Sequence, residues 1–156
     1  MHIEIGQLAP AFKLYDSQKQ LVSLSDYSGK NVLLLFFPLA FTSVCTAELC
    51  SVRDNIALYS NMNSDVLGIS VDSLYTLAAF KKEQHLNFPL LSDFNKEIST
   101  AYGTLYETFS FGMKGVSKRA AFIVDAEGKI AYAEVLDNAG EQPDFNAIKL
   151  LLNSMG

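Results

Sequence analysis

The chain predicts an α/β fold: a mixed central sheet with helices on both faces and a β-hairpin at the N-terminal end. Three observations carry this. Residues 31–37 and 65–71 are nearly continuous runs of Val, Leu, Ile and Phe, as strands buried on both faces of a parallel sheet require. Each run is followed by a segment with apolar residues at helical spacing, which supplies the crossover that parallel strands need. Late in the chain, two strand-like runs at 119–125 and 129–136 are separated only by Ala126-Glu127-Gly128, so they form an antiparallel hairpin.

Taken in order, residues 11–23 hold two short apolar stretches flanking Asp16-Ser17-Gln18-Lys19, which suits a β-hairpin laid against the main body. Residues 25–29 read as a short helical turn ending at Gly29. After the 31–37 strand, Pro38 stops the run. Cys45, Leu49, Val52, Ile56 and Tyr59 then fall on one side of a single helix. Beyond the 65–71 strand, Asp72 or Ser73 caps a helix that turns Leu74, Leu77 and Ala78 to the core. A third short strand is expected at 88–92 and another helix from Asp93 to about Tyr102.

Periodicity is lost from 103 to 118, where Tyr106, Phe109 and Phe111 accompany Gly103, Gly112 and Gly115. This reads as a long functional or interface loop. Pro143 opens a closing helix over 144–153, with Phe145, Ile148, Leu151 and Leu152 as its apolar stripe. Parallel strands with a hairpin at the edge and helices on both faces make the arrangement of thioredoxin-like domains. In such sheets ligands bind beyond the carboxyl ends of the strands.

At 156 residues with neither repeats nor linkers, one domain is expected over 1–156. A net charge of −5 argues against a general role on nucleic acid or anionic membranes, and the small cluster Lys114, Lys118 and Arg119 does not overturn that. The opening MHIEIGQLAP has no basic and apolar leader pattern. The apolar stretch 32–41 is about half the length of a membrane span. A cytoplasmic protein is therefore expected, in a compartment where two cysteines seldom form a structural staple.

Cys45 is the residue around which the chemistry gathers. It lies where a loop leaving a central strand enters a helix, and unpaired N–H groups and the helix dipole there favour thiolate over thiol. A thiolate is the nucleophilic form. His2 and His85 have no ligand-like spacing with each other or with the cysteines, and two cysteines alone are too few for zinc.

Pro38-Leu-Ala-Phe-Thr42-Ser-Val-Cys45 resembles the P-x-x-x-T-x-x-C signature of peroxiredoxins. Cys45-Thr-Ala-Glu48-Leu-Cys50 followed by Arg53-Asp54 is similar to the bacterioferritin-comigratory-protein or Q-type branch. The resemblance implies that Cys45 attacks the O–O bond of a peroxide and becomes a sulfenic acid. It implies that Thr42 contacts the thiolate and the peroxide, and that Pro38 shields the pocket from water. Arg119 would hold Cys45 ionised and stabilise the transition state, with Glu48 orienting the arginine. Each has a plainer alternative: Thr42 as a helix N-cap, Arg119 as a surface ion-pair partner, and Glu48 as a first-turn carboxylate complementing the dipole.

Residues five apart on one helix differ by about 140° and stand about 8.7 Å apart at Cα, whereas a disulfide needs roughly 4.4 to 6.8 Å. Either the first turns of the helix unwind on oxidation, or Cys50 is a bystander. The resemblance implies the first, with Cys50 resolving the sulfenic acid as an intramolecular disulfide. Cys50 is read as lying off the apolar stripe, so that local melting would leave the core covered. The implied substrates are hydrogen peroxide or organic hydroperoxides, the implied reductant is thioredoxin-like, and no cofactor is needed. The 103–118 aromatics either form a homodimer contact or line the peroxide entrance, the homodimer being preferred. The chain departs from relatives in having no tryptophan and in placing Val52 where an aromatic often precedes Arg-Asp. The competing readings are a thiol–disulfide oxidoreductase, which the four-residue separation opposes; a redox sensor; and a one-cysteine peroxidase served by an external thiol.

Overall fold

In a computed structural model, which describes residues 3–155, five strands form one sheet in the order β5-β4-β3-β6-β7. β3 (Asn31–Phe36) is central. On one side it pairs in parallel with β4 (Ser64–Ser70), which pairs in parallel with β5 (Leu90–Ser92). On the other side β3 pairs antiparallel with β6 (Arg119–Val124), which carries β7 (Ile130–Leu136) as the second arm of the expected hairpin. His2 and the opening Met1 lie outside the described residues.

All six residues of β3 are buried, and the pleat divides them between two cores. Leu33 and Leu35, with Phe37 just beyond, pack against Leu49, Tyr59, Leu77, Phe80, Ile148 and Leu152. Val32, Leu34 and Phe36 pack on the opposite face against Phe12, Tyr102 and Phe122. The first face is covered by α1 (Ser43–Asp54), α2 (Ile56–Asn61), α3 (Leu74–Gln84) and α5 (Phe145–Met155). The second is covered by the hairpin of β1 (Lys13–Tyr15) and β2 (Leu21–Ser23) and by the short α4 (Glu97–Ala101). The hairpin also guards the sheet edge, since the Ser17 N–H donates to the Leu90 carbonyl at 3.0 Å. None of the described helices is long and apolar enough to cross a membrane.

Three elements depart from the sequence reading. The cysteine helix is two helices, broken at Asn55 (φ −113°, ψ 14°). The Asn55 side chain donates to the Ser51 carbonyl at 2.8 Å, and its backbone N–H turns to Val52 instead, so a local side-chain bond competes with the helical ladder. α4 starts at Glu97 rather than Asp93, because the buried Asp93 carboxylate accepts from the N–H groups of Ile98 and Ser99 and serves as a cap from outside the helix. The 103–118 segment is a bridged excursion: the Tyr106 N–H donates to the Val116 carbonyl at 2.9 Å, and Tyr106 and Phe109 stack with centroids 5.0 Å apart. Of its three aromatics Phe111 alone is fully exposed. At the cap of α3 it is Ser73 that accepts from the Thr76 N–H. Asp72 is used elsewhere.

Candidate active site

β3 runs out at Phe36, and residues 37–42 loop over the end of the sheet before α1 begins with Thr42 as its N-cap residue. The first helical bond of α1 is from the Thr46 N–H to the Thr42 carbonyl at 2.9 Å. The amides of Ser43, Val44 and Cys45 therefore have no intrahelical acceptor. Cys45 is the third residue of the helix and is wholly buried, at the positive end of the dipole.

Arg119 reaches the same point from β6, the strand beside β3, on the face that α1 covers. Because β6 is antiparallel to β3 with Ala120 opposite Phe36, its first residue stands level with the end of β3. The guanidinium is buried with the cysteine. Its Nη1 donates to Cys45 Sγ at 3.3 Å and to Glu48 Oε1 at 2.7 Å, and its Nη2 donates to the Ala139 carbonyl at 2.9 Å. Arg119 is thus no surface ion-pair partner. Glu48 is buried in the second turn of α1, which rules out the first-turn dipole role and makes its partner the arginine.

The electrostatics follow from burial. Loss of water pushes the Glu48 carboxyl up to about 7, against the pull of the charge and hydrogen bond of Arg119. Burial by itself would pull the Arg119 pKa down, but Cys45 and Glu48 beside it hold it above the ordinary arginine value, so the guanidinium is a fixed positive charge. Tyr59 is pushed up to about 12 by burial and then by the charge of Glu48. The guanidinium, the Cys45 thiol and the Glu48 carboxyl are buried together.

Thr42 and Pro38 complete the expected set. Pro38 is buried and Thr42 exposed, so the proline lies on the inner side of the loop and the threonine on the rim. The Thr42 hydroxyl donates to the Leu39 carbonyl at 2.8 Å and makes no cap bond to the helix, which leaves its oxygen free to accept. The cap alternative therefore holds for the Thr42 backbone and not for its side chain.

The loop carries local strain. Phe41 has φ 69°, a left-handed conformation costly for a non-glycine residue. Its ring packs edge-on against Phe80 with centroids 5.1 Å apart. Next to it the Ala40 N–H donates to Asp72 Oδ2 at 2.8 Å, and Asp72 also accepts from the Ser70 hydroxyl at 2.7 Å. Asp72 thus braces the loop instead of capping α3, a contact that the sequence did not suggest. The available signal was its position just past the carboxyl end of β4, beside the end of β3.

Cys50 lies in the same unbroken α1 as Cys45, and both thiols are free. It is half-buried and packs against the core on that face. This corrects the expectation that Cys50 stands clear of the apolar stripe: unwinding there uncovers part of the core. The helix turns Cys50 toward α3, where its Sγ lies 3.5 Å from Gln84 Oε1.

A family model described as the AhpC/TSA family matches residues 5–133. The chain is 42% identical over 136 residues to alkyl hydroperoxide reductase E of Mycobacterium bovis, covering 85% of this chain and 86% of that one. It is 37% identical over 132 residues to peroxiredoxin Bcp of Escherichia coli, covering 83% and 84%. The crystal structure of peroxidoxin BcpB from Mycobacterium tuberculosis superposes with a TM-score of 0.88 over 99% of both chains at 24% identity, which shows the thioredoxin-like fold. The chain belongs to the AhpC/TSA family and is a peroxiredoxin, a thiol-dependent peroxidase.

Proposed function

We propose that Cys45 is the residue that attacks peroxide, that Cys50 resolves the product, and that residues 1–156 carry the whole cycle as one domain. The observation that carries this is the single Arg119 nitrogen shared between Cys45 Sγ and Glu48 Oε1 in a buried pocket. A guanidinium here replaces the water that a thiolate loses on burial. The Cys45 sulfur displaces on the distal peroxide oxygen, the O–O bond breaks, and the sulfur keeps that oxygen as sulfenic acid. The departing alkoxide or hydroxide takes a proton and leaves as alcohol or water. Arg119 stabilises the negative charge as it moves from sulfur to oxygen. Thr42, on the exposed rim, accepts the proton of the approaching peroxide in a hydrogen bond, while Pro38 keeps bulk water from the sulfur.

The Cys50 thiol then displaces hydroxide from the Cys45 sulfenic acid, giving a disulfide and water. A thioredoxin-like dithiol reduces that disulfide by exchange and is itself oxidised. Since α1 is intact, the pair meets only after its first turns unwind. Two free thiols fit work in the reducing cytoplasm. The fully exposed Phe111 on the 103–118 excursion is the surface we assign to a homodimer contact.

The test is peroxide consumption by wild type, Cys45→Ser and Cys50→Ser with a thioredoxin system, each mapped by mass. Cys45→Ser should be inactive, and Cys50→Ser should complete one turnover and accumulate sulfenic and sulfinic acid. Wild-type turnover by Cys50→Ser would instead assign resolution to an external thiol.

A further inference from the structure

The end of α3 grips α1 beside the second cysteine. Gln84 is the last residue of α3, and its side-chain oxygen is the 3.5 Å partner of Cys50 Sγ. Its backbone carbonyl, one of the last in the helix and so without an intrahelical partner, accepts from Arg53 Nη1 at 2.6 Å. Asn87 returns the contact, its Nδ2 donating to the Arg53 carbonyl at 3.2 Å. α1 is therefore tied to residues 84–87 at two levels, Cys50 and Arg53. The Arg53 tie is a cation at the negative end of a helix dipole. The Cys50 tie is a single weak bond from a thiol.

These two levels divide the helix. Cys45 and Cys50 bond only once the helix between them unwinds, and an unwinding that reaches Cys50 breaks its bond to Gln84. Arg53, three residues further on, has no need to move. We propose that Gln84 is a positioning residue that holds Cys50 in the folded helix, and so sets how Cys45 sulfenic acid divides between disulfide and further oxidation to sulfinic acid. This rests on the reading that Cys50 resolves Cys45. Arg53 and Asn87 fix the point beyond which α1 stays wound.

Because Arg53 binds the backbone of Gln84, side-chain variants separate the two ties. Gln84→Met keeps the length of the side chain and removes the acceptor, and Gln84→Ala removes both. The chain has no tryptophan, so the steps are followed by acid quench and mass mapping. Disulfide formation in Gln84→Met should be about threefold faster than in wild type, the net worth of one weak hydrogen bond. The sulfinic fraction at a fixed peroxide excess should fall in proportion. Cys50 in the reduced protein should alkylate faster, and the rate at which peroxide consumes the Cys45 thiol should not change. Wild-type disulfide rates in both variants, with an unchanged sulfinic fraction, would overturn the role of Gln84 alone. A parallel change in the Cys45 step would also overturn it, by making the effect structural. A wild type that forms no Cys45–Cys50 disulfide would overturn both this role and the resolving role of Cys50.

Discussion

Arg119 Nη1 donates to Cys45 Sγ at 3.3 Å across 74 positions of sequence. The contact exists because an antiparallel strand begins where the central strand ends. The same nitrogen holds Glu48, so one fixed charge serves the Cys45 sulfur and a buried acid together.

Replacing Arg119 separates fold from chemistry. Arg119→Met strands Glu48 without its partner, which should cost about 3–5 kcal/mol of stability. It should also lower kcat/KM for peroxide by about 10²–10³-fold. In the double variant Arg119→Met/Glu48→Gln, denaturant unfolding should show most of the stability restored while kcat/KM stays low. Recovery of both would mean that the arginine serves only the fold.

Glu48 should make stability depend on pH in an unusual direction for a carboxyl. Its folded pKa, about 7, lies above the ordinary value of 4.5, so the native state binds the proton more tightly than the unfolded chain. Its contribution is complete below about pH 4.5 and is lost as pH rises toward and through 7. Denaturant midpoints of wild type and Glu48→Gln, compared from pH 4.5 to 7.5, should converge or cross with rising pH as only wild type loses this contribution. Parallel curves would mean that Glu48 is ionised throughout.

For Thr42 the oxygen should matter more than the shape. Thr42→Ser keeps the hydroxyl that binds the Leu39 carbonyl and should retain most activity. Thr42→Val should lose about 10²-fold in kcat/KM for peroxide, while iodoacetamide alkylates its Cys45 at the wild-type rate. Equal activity of the two variants would remove the hydroxyl from the mechanism.

Asp72 supports the loop rather than the sulfur. Asp72→Ala leaves the Ala40 N–H and the Ser70 hydroxyl without their acceptor, at a cost of about 1–3 kcal/mol. Letting the 37–42 loop shift should lower kcat/KM by about ten- to a hundredfold. Asp72→Asn, which keeps an acceptor oxygen, should recover most of the rate. If the two variants behave alike, the bond to Ala40 does not position the loop.

Elements set by local chemistry were legible in the sequence. The 31–37 and 65–71 runs, the turn at Ala126-Glu127-Gly128 and the Ser73 cap depend on residues within a few positions of each other. So does the place of Cys45 at the start of a helix, and each stands at or near its expected position. The break at Asn55 is equally local, but there a polar side chain overrode a periodicity that continued unbroken on the apolar face.

Contacts that depend on strand order and helix packing were decided by the tertiary structure alone. Whether Arg119 meets solvent or Cys45, whether Glu48 faces the dipole or the arginine, and which acceptor Cys50 touches are fixed by the pairing of β6 with β3 and by the approach of α3 to α1. Asp72 makes the same point, since as a helix cap it would bind residues just ahead, yet it binds a loop 32 positions away. Local preference selects an element from the few nearby conformations. The partner of a buried charge is selected by which distant group the finished core leaves within reach, because a charge without water must find one.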